Sequence, residues 1–278
     1  MFREICRVLE NAPVAPGHYA LTLRSGRIAR NARPGQFLQI LCADSSDPLL
    51  PRPFSFLDAE HDRVSFLYHV VGKGTQLLSQ VRPGEDLRVT GPLGHGFSCG
   101  TRRVVDRRFT SFALVGGGVG IPPLHHLAKT LVAPGSGVRP EAVHVFVGAR
   151  ERSLLLCEKE FKRLEVKLHV ATDDGSKGHK GYVTEVLDEF LSKAHPLRTR
   201  VYACGPTPML RAANGVCARR GVECEVSVEV PMACGFGACI GCAIKVKDTS
   251  AGAAPDAYRY ALACQEGPVF KGGDLAWE

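Results

Sequence analysis

The hydrophobic pattern of this chain changes period once, near residue 109, and that change limits the fold more than any other feature. Before it, "HYALTLRS", "GQFLQILC", "RVSFLYHVV" and "EDLRVTGPL" alternate apolar and polar positions over strand-length runs divided by turn signals. Short strands at such spacing predict an antiparallel barrel or sandwich. Pro34-Gly35 and Pro83-Gly84 stand where hairpin turns are expected. After it, "FTSFALVGGGVGIPPLHHLAKTLVA" reads as a buried strand, a glycine turn and a helix. "AVHVFVGA", "LLLCEKEFKRL", "KLHVATDDG", "GYVTEVLDEFLSKA", "TRVYACGP" and "TPMLRAANGVCARRG" continue the strand–helix alternation. That alternation predicts a doubly wound parallel sheet. From residue 223 the chain turns short, cysteine-rich and turn-rich, with "DTSAGAAPDA" as a flexible loop. Three units follow: a barrel over 1–103, an α/β domain over 104–222 and a small module over 223–278.

The 278 residues, 45% hydrophobic and 23% charged, have an ordinary globular balance. No run of about 18 apolar residues indicates a membrane span. The start carries charges at Arg3 and Glu4 and lacks a signal-peptide core, which argues for a cytoplasmic protein. Eleven cysteines in such a chain point to metal, a cluster or core thiols rather than disulfides. The net charge of +7 raises nucleic-acid binding, but the one dense basic run, "TRRVVDRRF", has no interleaved aromatics. It reads as a solvated connecting loop, with docking of an acidic partner as the alternative.

Candidate sites lie in each unit. Gly116, Gly117, Gly118 and Gly120 follow a buried strand, where glycines let a pyrophosphate approach the free N–H groups of a helix N-terminus. Gly205-Pro206 ends another strand where open α/β sheets bind ligands, and Cys204 there is either a buried thiol or a group beside a nicotinamide. In "PRPFSF", Arg52 suits bidentate phosphate binding and Ser55 a hydrogen bond to a ring nitrogen, with Pro53 breaking the strand so that both can serve one ligand. Gly72-Lys73-Gly74-Thr75 offers a second phosphate cradle at a strand–helix junction. Cys234, Cys239, Cys242 and Cys264 form C-x4-C-x2-C with a solitary fourth thiol. This is plant-type spacing for a 2Fe–2S cluster, whereas four-cysteine zinc sites usually come as two C-x2-C pairs.

These motifs in this order, with "ATDDGSKGHKGYVTEVL" and the "GPVF" ending, resemble the electron-transfer subunits of type B dihydroorotate dehydrogenase, within the ferredoxin–NADP reductase superfamily. The resemblance runs over nearly the whole chain. It implies FAD in the barrel, lined by Arg52, Pro53, Phe54, Ser55, Leu67, Tyr68, His69, Gly74 and Thr75. It implies NAD on the α/β domain and a 2Fe–2S cluster on the C-terminal module. Relatives often carry arginine where His69 stands, and the loop before Cys264 and the stretch near residue 105 look longer than usual. The implied activity is an NAD-linked oxidoreductase subunit in pyrimidine biosynthesis. It takes electrons from the FMN of a separate dihydroorotate dehydrogenase catalytic subunit, in an assembly with two copies of each chain. With no eight-fold strand–helix repeat, this chain is not expected to oxidise dihydroorotate alone. The competing readings are the small subunit of an NADH-dependent ferredoxin–NADP oxidoreductase or sulfide dehydrogenase, and a zinc-stabilised regulatory module without redox activity.

Overall fold

The computed structural model describes residues 1–99, 106–250, 252, 254 and 256–277. Arg102 and Arg103, the expected boundary at 103/104, and positions 251, 253 and 255 of the loop before Cys264 lie outside the described residues.

The first unit is an antiparallel sheet of β1 (Phe2–Ala15), β2 (His18–Arg24), β3 (Phe37–Leu41), β4 (Arg52–Ser55), β5 (Asp58–Glu60), β6 (Arg63–His69) and β7 (Asp86–Leu93). Its order is β4-β3-β7-β1-β2-β6-β5, with helices α1 (Gly26–Asn31) and α2 (Lys73–Gln80) in the connections. Period-2 burial turns Val64, Phe66 and Tyr68 of β6 inward against Leu21 and Leu23 of β2. The sheet curls until its edge strand β4 meets β6. Phe54 stacks on Phe66 at 5.0 Å and meets Tyr68 edge-on at 5.8 Å, so aromatic packing makes the closure. Strand β1 was not among the expected strands: only Cys6 and Val8 of its 14 residues are fully buried, which leaves a thin apolar signal. Pro34-Gly35 and Pro83-Gly84 do form turns, closed by Gln36 N–H to Arg33 O and Glu85 N–H to Arg82 O, both 3.1 Å. They link α1 to β3 and α2 to β7, so they are helix–strand turns and not the expected hairpins.

The second unit has parallel strands β8 (Ser111–Gly117), β9 (Val143–Ala149), β10 (Lys167–Thr172), β11 (His179–Lys180), β12 (Thr199–Cys204) and β13 (Glu223–Ser227). Helices α3 (Ile121–Leu131) and α4 (Glu158–Arg163) cover one face, packing Leu124, Leu127 and Phe161 on Leu114 and Val145. Helices α5 (Val183–Lys193) and α6 (Thr207–Arg220) cover the other, packing Leu187 and Leu210 on Val115 and Val201. Beyond this, β14 (Ala243–Lys247) and β15 (Tyr258–Leu262) form a two-stranded antiparallel sheet. The chain then returns as β16 (Val269–Lys271), antiparallel on β13, so the large sheet is mixed rather than wholly parallel. A division at 222/223 would part β13 from its parallel neighbour β12; the boundary we propose falls after Ser227, where the returning strand β16 alone crosses it within the sheet. Among the described residues no helix is long and apolar enough to cross a membrane.

Several polar contacts join the barrel to the second unit. Lys129 on α3 donates to Asp58 (2.7 Å) and Glu60 (2.6 Å), and His125 Nδ1 lies 3.0 Å from Leu57 O. Where the chain leaves the barrel, Arg200 donates to Glu225 at 2.6 Å, and Ser98 N–H donates to the other Glu225 oxygen at 2.8 Å. Arg200 also lies over the Phe109 ring, 5.0 Å from its centroid. Both members of this ion pair are buried, with residue exposures of 8% and 4%. Removing one charge of such a pair leaves the other desolvated and alone. Glu225→Ala is therefore expected to cost about 3–5 kcal/mol in denaturant unfolding, whereas Glu189→Ala in the exposed Lys193 pair should leave the unfolding midpoint nearly unchanged.

Candidate functional site

The two barrel motifs read separately in the sequence converge. Arg52 on β4 lies against Gly74 in the first turn of α2, so close that a Cβ at Gly74 would be 3.2 Å from Nε. Arg52 Nη1 donates to Leu50 O at 2.6 Å, which steadies the side chain while Nε and Nη2 face α2. Thr75 Oγ1 accepts from Val71 N–H (3.0 Å) and Gly72 N–H (3.2 Å), so its hydroxyl holds the loop in place. A guanidinium at the start of a helix is an anion cradle. The expected break at Pro53 is absent: all four residues of β4 stay in register with β3, as an edge strand allows for proline.

The remaining barrel candidates divide between faces. Ser55 is half-buried on β4, and Leu67 packs into the core shared with the second unit. Phe54 and Tyr68 turn into the barrel, where the Tyr68 hydroxyl donates to Asn11 Oδ1 at 3.0 Å and burial pushes the phenol's pKa up. Exposed His69 stacks on His18 at 4.3 Å. Burial first, and then His18, hold its pKa below the usual value, so at neutral pH it brings no positive charge to a phosphate.

In the large sheet β8 lies between β9 and β12, with the chain running outward to either side. The crevice outside the carboxyl ends of β8 and β12 is thus the topological switch point where such sheets bind ligands. Two glycine loops meet there. A Cβ at Gly116 would meet Leu124 at 2.8 Å and one at Gly117 would meet Met209 at 3.1 Å, while Gly118 takes φ +56° in open space. A Cβ at Gly120 would fall 2.3 Å from Cys204 O and 2.5 Å from the Gly205 Cα, so only glycine lets the two backbones touch. The start of α3, however, does not supply the expected donors. Pro122 and Pro123 have no N–H, and Ile121 N–H is bonded to Gly118 O. The start of α6 is the open one, with Pro206, Thr207 and Pro208 exposed. Cys204 is 2% exposed, and burial, then the Glu229 charge, push its thiol's pKa up, against a hydrogen bond from Ser227. The structure thus makes it a core thiol.

The four cysteines all lie on the C-terminal module. Cys242 and Cys264 are buried in a cluster with Phe37, Leu93 and Ala263, while Cys239 is exposed and Cys234 half-buried. Among the described residues no three His, Cys, Asp or Glu side chains are grouped to hold a metal ion. The thiols fall instead in two hydrogen-bonding pairs, Cys234 with Cys239 and Cys242 with Cys264. Burial opposes ionisation of Cys234, but the backbone N–H groups of Phe236, Cys239 and Ala238 and the Cys239 thiol outweigh it and bring its pKa to about 6. Burial and then Cys242 raise that of Cys264 to about 12. Gly235, at φ +80°, lets the loop turn so that those N–H groups face inward. The pattern reading passed over one residue here: Gln39 of β3 lies directly against Gly235.

Residues 229–276 match the family model of the iron–sulfur cluster binding domain of dihydroorotate dehydrogenase B, and residues 114–215 match that of the oxidoreductase NAD-binding domain. A relative from Desulforamulus reducens, named dihydroorotate dehydrogenase B (NAD(+)), electron transfer subunit, is 36% identical over 98% of this chain and 97% of its own. One of the same name from Lysinibacillus sphaericus is 38% identical over 99% and 98%. Among solved structures, a chain of the NADH-dependent reduced ferredoxin–NADP oxidoreductase superposes with a TM-score of 0.80 at 28% identity, covering 99% of this chain and 90% of that one. A ferredoxin–NADP+ reductase from Neisseria gonorrhoeae with bound FAD and NADP shares the fold, with a TM-score of 0.65 at 14% identity over 79% of this chain and 92% of that one.

The glycine loops yield a contrast open to measurement. Gly118→Ala is expected to cost about 1–2 kcal/mol, the penalty of a left-handed residue with space around it. Gly120→Ala should cost more in thermal unfolding, because its Cβ would overlap backbone that cannot swing aside. Equal costs would mean that the ends of β8 and β12 are not locked together.

Proposed function

This chain belongs to the family of electron transfer subunits of dihydroorotate dehydrogenase B, and on that premise we propose that it carries electrons from the FMN of a separate catalytic subunit, by way of 2Fe–2S and FAD, to NAD+. The observation that carries this reading is the pairing of four thiols at the joint between the barrel and the nucleotide sheet. Two pairs suit the two irons of a plant-type centre, each iron taking two thiolates. When bound, nicotinamide moves electrons in pairs, the iron–sulfur centre takes them singly, and flavin does both.

The chain's own residues position these groups. Arg52 and the start of α2 would hold the FAD phosphates, and half-buried Ser55 would face the flavin ring. Gly116, Gly117, Gly118, Gly120, Gly205 and Pro206 shape the crevice at the switch point for NAD; at the exposed start of α6, Pro206 and Pro208 have no N–H, which leaves Thr207 to offer its phosphates a backbone donor and a hydroxyl. Cys204 would close the floor of that crevice as a neutral thiol. Cys234, Cys239, Cys242 and Cys264 would ligate the cluster. The family name implies a catalytic partner; an FMN-bearing subunit, with two copies of each chain, is the finer reading. Exposed Phe236 and Ile240 beside exposed Cys239 give it an apolar rim to dock on. A second reading, the small subunit of an NADH-dependent ferredoxin–NADP oxidoreductase, is supported by the full-length superposition on that enzyme.

Anaerobically purified protein is expected to show overlapping flavin and iron–sulfur absorption. Cys239→Ser should lose the iron and keep the flavin, whereas Cys224→Ser should keep both. Zinc in place of iron would return the four thiols to a structural role.

The chain alone should oxidise NADH with artificial acceptors and leave dihydroorotate untouched. Adding the FMN-bearing subunit should restore dihydroorotate-dependent NAD+ reduction. Restoration by ferredoxin alone would select the second reading.

A further inference from the structure

Gln39 sits in the middle of an otherwise apolar strand. Its neighbours Leu38 and Ile40 point into the barrel core, while Phe37 packs with Cys242, Ala263 and Cys264 of the C-terminal module. By the strand's alternation Gln39 shares the face of Phe37. The residue is 2% exposed, and among the described residues neither Nε2 nor Oε1 has a hydrogen-bond partner. A Cβ on Gly235 would stand 2.8 Å from Nε2, so the amide abuts the backbone immediately after Cys234. Across the ladder Gln39 faces Pro53 of the flavin strand, which has no N–H to offer it. Buried polar groups are nearly always paired, and a primary amide with both ends unmet is a standing cost unless what it faces supplies the partner.

We propose that Gln39 is a cluster-contact residue, its Nε2–H donating to the Cys234 thiolate once the 2Fe–2S centre is in place. A hydrogen bond to a ligating sulfur stabilises negative charge, and more strongly after an electron has been added, so it raises the reduction potential. The same contact joins the strand beside the flavin motif to the ligand loop, setting both the potential of the centre and its seat against the barrel.

The inference rests on the four cysteines holding such a centre, and the test separates the two. Gln39→Leu keeps the bulk and removes the donors; Gln39→Glu keeps the shape. Holoprotein is assayed for iron and acid-labile sulfide and titrated under EPR. Gln39→Leu should retain wild-type iron while its reduction equilibrium shifts about tenfold toward the oxidised form, a potential about 59 mV lower. Gln39→Glu should also fall in potential and gain a pH dependence, because the added electron favours protonation of the carboxyl. Iron-loaded Gln39→Leu with wild-type potential and spectrum would overturn the proposal. Wild-type protein without iron would instead overturn the cluster assignment. Should neither variant hold iron, wild-type protein carrying side-chain nitrogen-15 glutamine decides by pulsed EPR. A nitrogen coupling that survives Gln265→Met, which removes the other nearby amide, supports Gln39; none overturns it.

Discussion

The C-terminal module cannot stand by itself, and the arrangement of the whole chain follows from that. Its regular structure is the two-stranded ribbon of β14 and β15, marginal in water without something to pack on. Both neighbours supply it. Val246, Ala261 and Leu275 belong to the core beneath α5 and α6, and β16 extends the nucleotide sheet beside β13. On the other side Phe37 and Leu93 of the barrel close over Cys242 and Cys264. Near Gly94 the two units touch backbone to backbone, with His95 N–H donating to Gly267 O at 2.6 Å. The thiols are therefore held by the contact of all three units and not by any one of them.

That dependence has a functional side. Carriers that exchange electrons must keep a fixed spacing, and a module wedged between two larger units has little freedom to move. The barrel and the nucleotide sheet are fixed to each other as well, by Lys129 on Asp58 and Glu60 and, at the exit from the barrel, by Ser98 N–H on Glu225, which Arg200 holds within the sheet. Two exposed or half-exposed carboxylates on one lysine are worth little singly. The buried Arg200 pair is different, since removing either partner would leave the other charge buried and alone. It fixes Ser98, and with it the path by which the chain leaves the barrel.

Much of this was legible in sequence because it depends on local period and spacing. The change near residue 109 marks the passage from barrel to doubly wound sheet, and C-x4-C-x2-C with a distant fourth cysteine marks the four thiols we propose as cluster ligands. What was hidden depends on topology. Arg52 and Gly74 meet only because β4 closes on β6, which no spacing between the two motifs reveals. Strand β1 has two buried residues on which a pattern could be read, and α1 is a six-residue turn of helix. Gln39 looked like the polar half of an alternation, although that face of β3 is covered by another unit. The donors missing from α3 are another matter: Pro122 and Pro123 stand in the sequence, and the absence of their N–H groups could have been read there.

The ligand set is also asymmetric, and the asymmetry gives it a direction. Cys242 and Cys264 lie in an apolar seam that ends on barrel strands β3 and β7, one strand from the flavin motif on β4. Cys239 lies on the opposite side, exposed between Phe236 and Ile240, residues that are themselves 47% and 65% exposed. Cys242 and Cys264 would hold such a centre from the buried side and Cys239 from the solvent side, so a docked protein would meet the Cys239 side first. The apolar, buried side of the four thiols is where low dielectric and fixed packing favour a short internal step, and the turn-rich side is where a partner can come and go.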